Sequence, residues 1–128
     1  MSNIKPYVYI ASPYSKGDQA LNVKSAMATF DVLLTEGECI PICPLWAHFQ
    51  HLALPQPYET WASYSLSIAK LCDICLRVPA RYQRFNYAQY TSPGADSEVF
   101  YFEKHGKPVV YSLTELDKLL QAWSQEKT

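Results

Sequence analysis

Serine, glycine and acidic residues are concentrated in one short segment of the chain. Ser92, Gly94, Ser97 and Glu98 fall within seven residues, around a Ser-Pro-Gly sequence that is typical of a turn. A helix is predicted to begin just after this turn, and the first turn of a helix carries unpaired N–H groups and a positive dipole end. We therefore expect Glu98 to stay ionised at neutral pH, as a nucleophile must, although acidic residues also occupy such positions for stability alone.

The same unpaired N–H groups could cradle a phosphate, with the help of Ser92 and Gly94. The segment does not match a P-loop or the glycine-rich fingerprint of dinucleotide-binding proteins. The sequence therefore disfavours an ordinary nucleoside triphosphate or dinucleotide site.

Two other segments carry polar side chains at the ends of apolar runs. Tyr9, Ser12 and Tyr14 lie on or just after the first run, and Asp73 stands at the head of a later one. In open parallel sheets, ligands bind beyond the carboxyl ends of the strands, where the strand order reverses. We expect these side chains to converge there with Glu98, although Asp73 could equally be a capping acid between a helix and a strand.

The apolar pattern alternates short β-rich runs with helical stretches, which indicates βαβ units and a parallel sheet. Strands are predicted at 7–11, 38–43, 73–78 and 108–112. Helices are predicted from Asp18 to about Gly37, at 59–71, at 96–105 and from Thr114 onward. In the first helix we expect an apolar stripe of Ala20, Val23, Met27, Phe30 and Leu34. Segments 44–58 and 80–91 are predicted to be irregular and aromatic. The prediction is one α/β domain, with a doubly wound Rossmann-like or flavodoxin-like parallel sheet of about four to five strands.

Composition excludes several functional classes. The net charge of −1 gives no basic face for nucleic acid. No stretch approaches the roughly 20 apolar residues that cross a membrane, and the first residues do not resemble a signal peptide. We expect a cytoplasmic protein without a membrane partner. Ten Tyr, five Phe and three Trp suggest that some rings line a pocket or an oligomer interface.

Aromatic and sulfur-containing side chains leave two further alternatives open. Trp46 and His48, with Trp61 and Tyr82, could stack on a nucleobase or could simply pack. The pairs Cys39/Cys43 and Cys72/Cys75 could form a zinc tetrad, but their apolar surroundings favour buried reduced thiols. His48 and His51 could be a metal pair, but no carboxylate lies at fitting spacing, so we expect no metal. We also expect no organic cofactor.

Four short motifs, in this order and spacing, resemble the nucleoside 2-deoxyribosyltransferase superfamily, which includes the 2'-deoxynucleoside 5'-phosphate N-hydrolases. The motifs are Tyr9–Tyr14, Cys72–Asp73, Ser92–Glu98 and Gly106–Val109, and the resemblance extends from about Tyr7 to Tyr111. It implies a small-molecule nucleoside or nucleotide as the partner and a homodimer or larger homo-oligomer.

The resemblance also implies a role for each matching position. Glu98 would be the nucleophile, Tyr9 would orient its carboxylate, and Asp73 would assist the departing base. Ser92 stands where the monophosphate hydrolases carry a serine that suits a 5'-phosphate. The implied function is cleavage of the N-glycosidic bond of a (deoxy)nucleoside 5'-monophosphate through a glycosyl-Glu98 intermediate. Transfer of the sugar to a second base, a nucleotide sensor without turnover and a structural-zinc interaction module are the alternatives.

Overall fold

A computed structural model of the chain describes residues 4–12, 19–78, 80–82, 86–88 and 93–127, with side chains over 4–12, 20–78 and 96–123. The elements, in chain order, are β1 (Tyr7–Ala11), α1 (Gln19–Glu36), β2 (Ile40–Ile42), a 3-10 turn (Pro44–Trp46), α2 (Ala47–Ala53), α3 (Tyr58–Ala69), β3 (Ile74–Arg77), β4 (Ala80–Tyr82), β5 (Asn86–Ala88), α4 (Pro93–Lys104), β6 (Val109–Val110) and α5 (Leu113–Lys127).

The main sheet contains four parallel strands in the order β2-β1-β3-β6. Tyr9 at the middle of β1 is opposite Ile42 on one side and Cys75 on the other. From β1 the chain runs to β2 on one side and then to β3 on the other, so the strand order reverses between β1 and β3. This confirms the predicted α/β class and makes the carboxyl ends of these two strands the expected place for a ligand.

Side chains of β1 alternate between two hydrophobic clusters, because successive residues of a strand point to opposite faces. Val8 and Ile10 pack in a cluster with residues of α1 and α5, whereas Tyr9 and Ala11 pack with residues of α3 and α4. The cluster on the α1 and α5 side includes Ala26, Leu33, Leu116 and Leu120, and the other includes Ala69, Cys72, Val99 and Phe102. The alternation therefore directs the Tyr9 ring towards α3 and α4.

The buried face of α1 differs from the predicted stripe. Val23, Ala26 and Leu33 are buried, whereas Met27 and Leu34 are 49% and 58% exposed. At 3.6 residues per turn, each of these two exposed residues lies about 100° around the helix from a buried neighbour. Ala20 is exposed as well, so three of the five predicted stripe residues face solvent, and at Met27 and Leu34 the buried residue is the preceding one.

Gly37 and Pro41 have special backbone properties that suit their positions at the end of α1 and in an edge strand. Gly37 has φ +73°, and its N–H donates to Leu33 O at 3.1 Å, which closes α1 as predicted. Pro41 lies in β2, which is the edge strand of the sheet, where its missing N–H costs no ladder hydrogen bond.

Three local predictions were wrong. Segment 44–58 holds a 3-10 turn and α2, and segment 80–91 holds the antiparallel strands β4 and β5. The helix predicted from Asp96 begins at Pro93, because proline has no N–H to lose at the first helical position. This earlier start moves Glu98 from the first turn of the helix into the second.

Lys107 joins three elements on the α3 side of the sheet. Its ammonium donates to the carbonyl oxygens of Cys72 at 2.8 Å, Lys70 at 3.2 Å and Ala69 at 3.4 Å. These carbonyls belong to the end of α3 and the turn into β3, where a helix leaves acceptors without intrahelical partners. Lys107 therefore caps α3 from the segment that enters β6.

Candidate active site

A short hydrogen bond joins the central strand to α4. The Tyr9 hydroxyl donates to Glu98 Oε2 at 2.5 Å. Tyr9 is fully buried, and its ring lies 5.5 Å from that of Phe102 on the same helix. One carboxylate oxygen is thus fixed by a side chain that packing holds in place. The structure brings together two of the three residues that the sequence predicted to be catalytic.

Ser65 of α3 lies near the Tyr9 hydroxyl, and its side chain lowers the pKa of the Tyr9 phenol. The sequence reasoning missed Ser65. Ile68 and Ala69, three and four residues later on α3, pack in the cluster around Tyr9, so Ser65 could be recognised only once the faces of the sheet were known.

The pKa of the Glu98 carboxyl is raised to about 7, mainly because burial disfavours the charged form. The Tyr9 hydrogen bond and the positive charge of Arg77 act in the opposite direction and lower this pKa. The prediction that a first-turn position keeps Glu98 ionised was therefore wrong, since the acidic residue of the first turn is Asp96. Near neutral pH the Glu98 carboxyl is divided between its protonated and ionised forms.

Tyr9 remains a hydrogen-bond donor over the whole working range of pH. Burial raises the pKa of its phenol strongly, and the neighbouring Glu98 charge raises it further. The phenol therefore orients the carboxylate without giving up its proton.

Arg77 places a buried cation at the carboxyl end of β3. Alternation puts its side chain on the same face as Cys75, and the register places it beside Ala11, whose small side chain leaves room. Its guanidinium donates to Val78 O and forms an ion pair with Asp96 at 3.4 Å. The sequence reasoning missed Arg77, although a single arginine in an apolar strand is uncommon without a partner.

Asp73 does not converge with Tyr9 and Glu98. Its carboxylate accepts the N–H of Tyr7 at 2.9 Å, and its own N–H donates to Tyr7 O at 2.9 Å. Asp73 precedes β3, so it lies at the amino edge of the sheet. At about 3.3 Å per residue its Cα is roughly 13 Å from that of Arg77 at the other end of the strand. The structure favours the capping alternative for this residue.

The other residues that the sequence predicted to bind the substrate beside Glu98 lie at different places in the structure. Ser12 follows β1 at the carboxyl edge and is half-buried, Gly94 lies in the first turn of α4, and Ser97 is exposed. Tyr14 and Ser92 lie outside the described residues.

An apolar groove of about 720 Å³ opens beside α3 on the face that carries Tyr9. Its walls include Ile42, Cys43, Trp46, Gln50, Trp61 and Tyr64, and none of the described residues that line it is charged. Cys43 lines the groove, and burial raises the pKa of its thiol to about 11, with a smaller contribution from the Glu98 charge. Of the two hydrogen-bonded residues, neither Tyr9 nor Glu98 is among the described residues that line the groove.

The predicted stacking residues differ in their relation to this groove. Trp46 lines it and also packs edge-on against Phe30, with ring centroids 4.7 Å apart. His48 is not among the lining residues and makes an edge-on contact with Phe49. Trp61 is held in place by its indole N–H, which donates to His51 Nδ1 at 2.8 Å.

The four cysteines are free and buried, and the two pairs pack on opposite faces of the sheet. Across the described part of the chain, no group of three or more His, Cys, Asp or Glu is arranged to hold a metal ion. Within the same part, no helix has the length and apolar character that a membrane crossing requires.

Comparisons of the chain with protein families, with curated proteins and with solved structures gave no match. The functional interpretation therefore depends on the geometry of the site and on the sequence motifs.

Proposed function

We propose that this protein cleaves the N-glycosidic bond of a (deoxy)nucleoside 5'-monophosphate, with Glu98 as the nucleophile. The observation that carries the proposal is the 2.5 Å hydrogen bond from the buried Tyr9 hydroxyl to Glu98 Oε2. A carboxylate whose orientation is fixed at the strand-order reversal of a parallel sheet is the group that retaining glycoside chemistry requires. The motif resemblance supplies the substrate class.

The reaction proceeds in two displacement steps. Oε1 of Glu98, the oxygen that Tyr9 does not hold, attacks C1' while the C1'–N bond breaks, and its electron pair leaves with the base. The base takes up a proton from water. A water molecule then attacks C1' and loses one proton to the solvent, which balances the proton taken up by the base. The C1'–Oε1 bond breaks, and Glu98 is regenerated with the sugar phosphate as product.

Two features beside α3 and α4 suit the parts of such a substrate. The aromatic groove, whose lining includes Trp46 and Trp61, has no charged side chain among its described residues and suits a stacked nucleobase. The first turn of α4, which contains Gly94, offers backbone N–H groups to a 5'-phosphate. No cofactor enters either step.

A homodimer is part of the proposal, as is a cytoplasmic location. Its support is a set of large apolar side chains on α3, on α4 and just after α3. Tyr64, Leu71 and Phe100 are 50%, 71% and 63% exposed in the single chain. Because α3 packs against α4, these exposed apolar groups lie on neighbouring elements, and such a set is typical of an interface. Sedimentation velocity of the wild-type protein tests this part.

A nucleotide-binding protein without turnover is the second candidate, and the position of Asp73 favours it. A glycosidase benefits from a second group that assists the departing base, and Asp73 lies at the opposite edge of the sheet. This candidate predicts binding of a nucleoside monophosphate without any release of base. Transfer of the sugar to a second base predicts base release that depends on an acceptor.

The experiment is a chromatographic assay of base release from the deoxynucleosides and their 5'-monophosphates, with and without an acceptor base. We expect release from at least one monophosphate without an acceptor. The Glu98→Gln variant keeps the size of the side chain and should release no base. Glu103→Gln, which changes an exposed glutamate of the same helix, is the matched control and should retain wild-type turnover. Turnover by Glu98→Gln at the wild-type rate would rule out Glu98 as the nucleophile.

A further inference from the structure

His51, in the last turn of α2, accepts hydrogen bonds from two groups that lie outside this helix. Its Nδ1 atom is 2.8 Å from the indole nitrogen of Trp61 on α3 and 3.2 Å from the backbone nitrogen of Gln56, which lies between the two helices. An indole N–H and a backbone N–H can only donate a hydrogen bond. Nδ1 of His51 therefore carries no proton, and the proton of the neutral ring is on Nε2.

These hydrogen bonds attach a helix that lies wholly outside the hydrophobic core. No residue of α2, the whole of which the structure describes, is buried. At the start of the helix, Trp46 packs edge-on against Phe30 of α1. The start of α2 is thus attached to α1 by a packed ring, and its end is attached to α3 through His51.

The apolar groove described above lies between these two helices. Ala47 and Gln50, three residues apart on one face of α2, contribute to one wall, and Trp61 and Tyr64 of α3 contribute to the other. The rings of Trp61 and Tyr64 pack edge-on, with centroids 6.1 Å apart. The hydrogen bond from Trp61 to His51 therefore joins the two walls and limits the width of the groove.

We propose that His51 is a positioning residue whose neutral form holds α2 against α3, and that its protonation releases α2 and widens the groove. A proton on Nδ1 would point at two N–H groups that can only donate, so both hydrogen bonds would be lost. The proposal rests on the proposed function only for the identity of the molecule that the groove binds.

Few other charged groups lie near His51. Residues 39–58 contain no Asp, Glu, Lys or Arg, and Glu59 is the single charged residue of α3. Besides His51, the titratable groups on the two helices that meet here are His48, Tyr58, Glu59 and Tyr64. The effects of His48 and Glu59 must therefore be separated from the effect of His51.

The experiment is an NMR titration of the 15N-labelled full chain, from pH 8 down to the pH at which His51 is protonated. At pH 8 the His51 ring should show the tautomer with its proton on Nε2. The protection of the Trp61 indole N–H and the Gln56 N–H against exchange with solvent, relative to their intrinsic rates at each pH, should fall roughly tenfold as His51 is protonated. The amides of β1 should stay protected, which excludes global unfolding.

Two variants of His51 separate its protonation from other effects of pH. His51→Asn has an acceptor, Oδ1, at the same number of bonds from the backbone as Nδ1, and it does not titrate, so it should keep both N–H groups protected throughout. His51→Leu has no acceptor, so protection should be low throughout. The matched controls, His48→Asn and Glu59→Gln, retain His51 and should keep the pH dependence of the wild type.

The outcomes of the titration are distinct. A fall of protection in the wild type that is absent from both His51 variants supports the proposal. A ring proton on Nδ1 at pH 8, unchanged protection in the wild type after His51 is protonated, or a pH dependence that persists in His51→Asn would overturn it.

Steady-state kinetics gives a second readout, which depends on the proposed function. If the groove holds the base, His51→Leu should raise KM for the nucleoside monophosphate roughly tenfold with little change in kcat, because Trp61 is no longer held in place. The expected NMR result with an unchanged KM would show that the base binds elsewhere. The expected NMR result without any base release would sink the proposed function, and in both cases the role of His51 would stand.

Discussion

The Tyr9 hydroxyl and the Glu98 carboxylate meet at 2.5 Å, although one belongs to the central strand and the other to the helix that packs on it. Both are held by the same cluster, since Val99 and Phe102 of α4 pack around Tyr9. The contact is therefore a product of the core, and its geometry does not depend on a loop. A reactive carboxylate gains from such rigid support, because its orbital alignment with a bound substrate is set before binding.

Removal of the Tyr9 hydroxyl should impair catalysis far more than it impairs folding. Tyr9→Phe keeps the buried ring and deletes the donor to Glu98, so the Glu98 pKa should rise. A hydrogen bond to a charged group contributes about 1.5–3 kcal/mol, which corresponds to roughly a 10- to 150-fold loss of kcat/KM. Steady-state kinetics checks this, and Tyr58→Phe, which alters an exposed tyrosine outside the groove, is the control. Unchanged kinetics in Tyr9→Phe would show that the hydrogen bond does not orient the nucleophile.

The ionisation of Glu98 should make stability fall as pH rises. Its pKa is raised from 4.5 to about 7 in the folded protein, so between these values the folded state binds more protons than the unfolded state. The stabilisation is complete below about pH 4.5 and is lost as pH rises through 7, and at most roughly 3 kcal/mol is involved. Urea unfolding at pH 5 and pH 8 measures it.

The control for the comparison of unfolding at the two pH values is Glu98→Gln, whose side chain cannot ionise. It should lose less unfolding free energy than the wild type between the two pH values. An equal pH dependence in the two proteins would mean that the Glu98 carboxyl is not held in its protonated form by burial.

Lys107 should contribute to stability and not to turnover. Lys107→Met removes three hydrogen bonds to the carbonyls that end α3, so the free energy of unfolding should fall by about 1–3 kcal/mol. Lys104→Met, at an exposed position, should change it little. Thermal and urea unfolding measure both variants. Equal stabilities would show that the ammonium does not cap the helix.

The observed position of Asp73 and the role that the motif resemblance implies for it predict different effects of its removal. Asp73→Ala removes the acceptor for the Tyr7 N–H, so it should lower stability by about 1 kcal/mol while base release continues at a similar rate. The measurement compares kcat with unfolding free energy in the same preparation. A loss of activity of a hundredfold or more, at unchanged stability, would restore the catalytic role of Asp73.

The sequence predicted the fold well because its apolar runs alternate with helical stretches of suitable length. Strand 7–11 was predicted with its observed bounds, and Gly37 correctly marked the end of α1. Periodicity gave the class and the element order because both depend on local pattern. The exposed Met27 shows its limit, since a shift of one residue around a helix changes which side chains are buried.

The site was only partly predictable, for physical reasons that differ by residue. Tyr9 and Glu98 were found through their motifs, whereas the raised pKa of Glu98 depends on burial and on where α4 begins. Ser65 and Arg77 could be recognised only after the register and the faces of β1 and β3 were known. Asp73 was misplaced because it stands at the head of its strand, which is the amino edge of a parallel sheet, whereas the site was expected at the carboxyl edge.

Intact-protein mass spectrometry after mixing with a 2'-fluorinated deoxynucleoside 5'-monophosphate tests Glu98 as the nucleophile. The fluorine destabilises the oxocarbenium-like transition states of both displacement steps, and a base that leaves readily keeps the first step the faster one, so the glycosyl-enzyme should accumulate. We predict a mass increase equal to one fluorinated sugar phosphate, which peptide mapping locates on Glu98 and which Glu98→Gln does not show. Free base released without any covalent adduct, or an adduct on another residue, would contradict the mechanism.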